Sequence, residues 1–160
     1  MVSPQLTKLI SDQIGLELRA VRFYLLAANI AAKLGFDTFA NWLRQESKDE
    51  GHHAKHWTKL AEDLGILAPI DPAPVGSQPE TLEACITEAV QLETLLLDHM
   101  NEIYVLAHDE RCTPVIAFLF VGRKGYKPVT HQQKSMTEWQ MMADRMKTKG
   151  VADIEASLNH

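Results

Sequence analysis

The chain has 160 residues, enough to bury one sizeable core. Its composition, 46% apolar and 23% charged, excludes a disordered tract, and a net charge of −5 argues against nucleic acid as an electrostatic partner. The longest unbroken apolar run, Val115 to Val121, is seven residues, where a membrane span needs about 20.

The opening MVSPQLTKLI carries no apolar signal block, so a cytoplasmic chain is expected. Ser3 and Pro4 supply a cap and a first-turn proline for a helix predicted over 4–34, which Gly35 ends. Asp37 is the expected cap of a second helix over 38–64. The stretch 66–79 holds four prolines and a glycine and reads as an extended connection. Pro79, with Glu80 in the first turn, opens a third helix over 80–108. At about 1.5 Å per residue each of these helices is roughly 40–45 Å long. A fourth is expected over 114–149, broken near 122–128 by Gly122, Gly125 and Pro128. After Gly150, VADIEASLN reads as a short fifth helix.

Strand signals are missing: there is neither β-branched alternation nor an Asn-Gly turn. Long helices joined by one short loop and one long crossover predict an all-α four-helix bundle, a single domain over 1–160. Cys85 and Cys112 fall at opposite ends of the third helix, roughly 40 Å apart at its rise. They cannot pair, which agrees with a reducing compartment.

Each of the first three helices carries an acid inside its apolar stripe. Glu17 follows Leu6 by 11 residues, Glu50 follows Phe39 by 11, and Glu93 follows Leu82 by 11. Eleven residues at about 100° each return to within about 20° of the starting direction, so the acids face the core. All three lie near mid-helix, in one layer of a packed bundle. Gln132 falls near the middle of the fourth helix, whose apolar face continues through Met136, Trp139, Ala143 and Met146.

A lone glutamate in a stripe is usually paired or half-exposed. Three at one offset are different, and Arg19, Arg22, Arg44 and Arg111 fall on none of the stripes. Buried carboxylates crowded together repel and lose hydration, so a pair of divalent cations is the natural remedy. Glu50-x-x-His53 puts a carboxylate and an imidazole on one face. The mixed oxygen and nitrogen set, without thiolate, suits iron or manganese. Tyr24, turn-spaced from Glu17, is either core or a hydrogen-bond donor to a ligand. His52 and His56 point off the stripe and read as solvated, His99 and His108 read as surface residues, and the methionines read as core filler.

These residues together resemble a non-haem ferritin: Glu17 with Tyr24 seven on, DEGHH around Glu50 and His53, mid-helix Glu93, and Gln132 in HQQ. The resemblance implies that Glu17, Glu50 and His53 hold one iron and that Glu50 and Glu93 hold a second. It also implies that Gln132 supports the site and that Tyr24 hydrogen-bonds a ligand. The implied reaction is ferroxidation, in which Fe(II) gives electrons to dioxygen or peroxide. Fe(III) then passes to a mineral inside a homo-oligomeric, 24-subunit cage. Gly51 stands where bacterioferritins place a haem-ligating methionine, and a second Glu-x-x-His is missing, so no haem is expected.

Departures from the family pattern add expectations. His52 and Lys55 replace acids on the cavity side of the second helix, which predicts slow mineral growth. Lys134 and Ser135 replace acids of a third iron site, which is expected to be missing. GRKGYKP looks inserted, and two consequences stay open: whether His131 rather than Gln132 faces the metals, and whether Arg123, Lys124 and Lys127 line a three-fold channel. Two other readings stand beside ferroxidase storage: a cage subunit with an impaired centre, and a bundle oxidase acting on an organic substrate.

Overall fold

A computed structural model of the chain describes residues 2–67 and 78–159. The helices are α1 (Pro4–Lys33), α2 (Asp37–Asp63), α3 (Leu82–Asp109), α4 (Thr113–Phe120), α5 (Pro128–Lys149) and α6 (Val151–Ser157). No strand occurs among the described residues. Most of the expected extended connection falls on 68–77, outside them. No described helix is long and apolar enough to cross a membrane.

The helix starts follow local chemistry with two corrections. Ser3 caps α1 as expected, its hydroxyl accepting from Leu6 N–H at 3.0 Å. The third helix begins at Leu82 rather than near residue 80, because the Thr81 hydroxyl accepts from Ala84 N–H at 3.1 Å and fixes the first turn there. Asp37 does not cap α2; it is that helix's first residue, and Phe36 before it offers no side-chain acceptor. The carboxylate of Glu155 in α6 does so instead, accepting from Thr38 N–H at 2.9 Å and Phe39 N–H at 2.7 Å. The fifth helix of the sequence reading is therefore the cap of the second.

The tight α1–α2 turn depends on Gly35, at φ +85. Gly35 N–H donates to Ala32 O at 3.1 Å and Phe36 N–H to Ala31 O at 2.9 Å, closing α1 and sending the chain back antiparallel. Glu93 lies beside Tyr24, and His99 beside Gln13, so α3 also runs antiparallel to α1. Hence α2 and α3 are parallel, which is why a long crossover must join them.

The expected fourth helix is two helices, α4 and α5, parted at 121–127 where the break was anticipated. Both cysteines are free. Trp139 and Ala143 are buried on α5 as the stripe predicts, but Met141 is 66% exposed and fills no core.

Two apolar clusters divide the bundle. One joins Ala20 to Ala31 of α1 with Phe39, Leu43, Ile86, Trp139 and Ile154. The other joins Leu6 to Ile14 with Trp57, Met100, Ile103, Val115 and Val129. Between the two clusters lie Glu17 of α1, Ser47, Glu50 and His53 of α2, and Gln132 of α5.

Candidate metal centre

Glu17 and Glu93 are 0% exposed, and Glu50 and Gln132 are 2% exposed. Four polar side chains have thus been taken out of water in one layer, and the layer is tolerable only if they satisfy one another or bind something. His53 Nδ1 lies 2.9 Å from Glu50 Oε2 and 3.9 Å from Glu17 Oε2. Ligand atoms of Glu17, Glu50 and His53 all lie within 4.8 Å of one another, close enough for one ion to touch all three.

Glu93 is held differently. Tyr24 donates its hydroxyl proton to Oε1, and Gln132 Nε2 donates to Oε2 and, at 3.0 Å, to the Glu93 carbonyl oxygen. Gln132 therefore faces the layer. His131 is exposed, its Nδ1 lying 3.1 Å from Lys127 N. The break at 121–127 thus leaves Gln132, not His131, on the inner face of α5. Tyr24, turn-spaced from Glu17 on α1, reaches across to Glu93 of α3, its ring stacked on Trp139 at 5.4 Å and 8°.

The electrostatics follow from burial. Desolvation, and next the charge of Glu50, push the Glu17 carboxyl well above its ordinary range. Desolvation and then Glu93 do the same to Glu50. Glu93 is raised by burial too, opposed by its hydrogen bonds from Tyr24 and Gln132. One atom stands out: Glu17 Oε2 is buried with no hydrogen-bond partner. A buried carboxylate oxygen without a donor, facing a second carboxyl and an imidazole nitrogen, is a donor set that fits a cation, and its oxygen and nitrogen chemistry without sulfur suits iron or manganese.

Residues 7–120 match the sequence model of the ferritin family, the ferritin-like domain. The chain belongs to the ferritin family. Iron storage is the general function that membership carries. The fold is similar to that of an open-pore ferritin from the hyperthermophilic archaeon Archaeoglobus fulgidus, at 17% identity over 98% of this chain and 96% of that one, with a TM-score of 0.80. A humanized archaeal ferritin aligns at 18% identity over 99% and 97% of the two chains, with a TM-score of 0.85. At such identities the likeness is one of fold. No curated protein matches the chain.

In this ferritin several residues beside the layer escaped the sequence reading. Gln13 is fully buried and donates to Glu17 Oε1 at 2.8 Å. Its place four residues before Glu17 on one helix face was the available signal. His99 is half-buried, not a surface residue, with Nδ1 2.8 Å from Gln13 Oε1. His56 is also half-buried, lying against Tyr126 at 5.2 Å, and burial lowers its pKa; His52 and His108 are exposed as expected. An open cleft of about 370 Å³ leads to Glu50 and His53 between α2 and α5, its walls including Glu46, Asp49 and Lys134. Burial, reinforced by Glu93, raises the Glu46 carboxyl to about 8.

Proposed function

We propose that this chain is an iron-storage subunit that oxidises Fe(II) at a two-iron site within the bundle. Glu17, Glu50 and His53 receive the first ion; Glu50 and Glu93 receive the second. The observation that carries the reading is Glu17 Oε2, buried without a partner among Glu50 and His53.

Fe(II) is substrate here, not a resident cofactor. Each pair of ions gives up two electrons, and dioxygen takes them with two protons to form hydrogen peroxide. Burial and mutual repulsion favour the protonated forms of Glu17 and Glu50, and an ion needs the ionised forms, so loading is expected to release acid. Glu50 faces both ion positions and bridges them. Tyr24 and Gln132 keep Glu93 oriented toward the layer, each taking one lone pair of its carboxylate and leaving the others for an ion. Ferric product passes to a mineral inside a homo-oligomeric cage, for which 24 subunits is the family's number.

Glu50→Ala is the deciding experiment. It abolishes rapid Fe(II) oxidation while the cage mass by gel filtration is unchanged, and the metal-free bundle is as stable or more so. Near-normal oxidation by this variant would sink the reading. His53→Ala slows the reaction less completely. A cage that never oxidises iron would favour the impaired-subunit alternative. The contact of Gln132 with Glu93 argues against that alternative, because its premise is a displaced fourth helix.

A further inference from the structure

The segment between α4 and α5 delivers a buried aromatic ring to the metal centre. Arg123 N–H donates to Tyr126 O at 2.9 Å, and Tyr126 N–H returns to Arg123 O at 3.0 Å. Gly122 sits at φ +81, and a Cβ there would overlap the Tyr126 carbonyl, so the turn admits glycine alone. Arg123 Nη2 pairs with the Asp63 carboxylate at the end of α2, tying the loop down.

Anchored in this way, the loop turns Tyr126 inward, where it is 5% exposed. Its ring lies against His53 at 4.4 Å between centroids and 13° between planes. The hydroxyl accepts from Trp57 Nε1–H at 3.3 Å, which fixes the ring from its far end.

The stack bears on how His53 is aimed. The second torsion of a histidine is soft, so something outside the residue must set the ring plane. In metal sites that is usually a hydrogen bond from the nitrogen not bound to metal. His53 turns Nδ1 toward Glu50 and Glu17, and among the described residues Nε2 has no hydrogen-bond partner. The flat contact with Tyr126 takes the place of that bond.

We propose that Tyr126 is a positioning residue for His53, its ring face setting the plane in which Nδ1 points at the Glu17–Glu50 carboxylates. The proposal rests on reading Glu17, Glu50 and His53 as metal ligands. It also assigns a purpose to the loop between α4 and α5: Gly122 shapes it, Arg123 pins it, and Tyr126 acts.

Co(II) is the probe, because its visible absorption reports an imidazole ligand and the ion needs no oxidant. The metal-free full-length protein is titrated as wild type, Tyr126→Ala, Tyr126→Phe, His53→Ala, the His53→Ala/Tyr126→Ala double variant and Glu50→Ala. Tyr126→Ala is expected to weaken the first Co(II) about tenfold, the lower end of what losing an outer partner does to a metal site. Its spectrum should move toward that of His53→Ala. The double variant should bind no worse than His53→Ala, since Tyr126 acts through that ring. Tyr126→Phe keeps the face and should restore wild-type binding. Should Tyr126→Ala fail to fold, Tyr126→Leu keeps the apolar bulk without the ring face and is expected to show the same loss. Wild-type affinity and spectrum in a folded Tyr126→Ala or Tyr126→Leu protein, or losses that simply add in the double variant, would overturn the proposal. If Glu50→Ala binds Co(II) like wild type, the reading of the centre itself fails, and this proposal with it.

Discussion

Gln13 donates through Nε2 to Glu17 Oε1 at 2.8 Å, while Oε2 of the same carboxylate is left bare. With the amide nitrogen committed to Glu17, the amide oxygen must accept, so His99 Nδ1, 2.8 Å away, carries a proton. Gln13 of α1, itself held by His99 of α3, thus pins one oxygen of Glu17 and leaves the other for an ion.

Gln13→Leu should loosen that arrangement. The first divalent ion is expected to bind about tenfold more weakly, as when other outer partners of metal ligands are lost. Calorimetric titration of the metal-free protein checks it. An unchanged affinity would show that α1 packing alone orients Glu17.

The raised carboxyls give a pH dependence with a definite sign. Glu17, Glu50, Glu93 and Glu46 hold their protons more tightly when folded than when unfolded. Each contribution is fully present below the ordinary glutamate range and is lost as pH rises through that group's raised pKa, which for Glu46 is about 8. The metal-free protein should therefore lose stability across that window, by roughly 1.4 kcal/mol per pH unit for each carboxyl still protonated only in the native state. A divalent ion needs the ionised forms, so metal should flatten or reverse the trend. Denaturant midpoints at several pH values, with and without Co(II), test both halves.

Glu155 reaches from α6 to the start of α2, where Phe36 leaves the first-turn N–H groups without a cap. Glu155→Ala is expected to cost about 1 kcal/mol, the usual effect of a lost cap, and to lower the thermal midpoint by roughly 3 °C. Fe(II) oxidation should be unchanged, because Ile154 beside it packs in the apolar cluster that also holds Phe39 and Leu43, away from His53.

Among the loop cations, Arg123 is already paired with Asp63, whereas Lys124 and Lys127 are exposed. If they face an entry channel of the proposed cage, they repel Fe(II). Lys124→Gln/Lys127→Gln should then oxidise iron faster at low salt and lose the salt dependence, since screening acts within about 10 Å at 0.1 M. An unchanged rate at every ionic strength puts the loop on an outer surface.

His52 and Lys55 are exposed on α2, where added acids would attract cations. His52→Glu/Lys55→Glu should speed ferric core growth at low iron loading without changing the initial oxidation rate. Light scattering and the oxidation trace separate the two. Equal mineralisation by both proteins would remove this wall from the storage step.

Much of this was legible along the chain because helical periodicity is local. Capping residues, glycines and prolines marked the helices, and the spacing of Glu17, Glu50 and Glu93 turned three acids inward at one height. Glu50 and His53 share a face because they are three residues apart on one helix, whatever surrounds them.

Tertiary structure decided who touches whom. Tyr24 serves Glu93 rather than Glu17, 69 positions separating the partners. His99 meets Gln13 across 86, and Glu155 caps α2 across 117. Tyr126 lies in a non-helical loop, where no periodicity tells in or out, and reaches His53 only because Gly122 and the Arg123–Asp63 pair turn the loop back. Such contacts depend on how whole helices and loops are placed against one another, and residue spacing along a single helix carries no record of that placement.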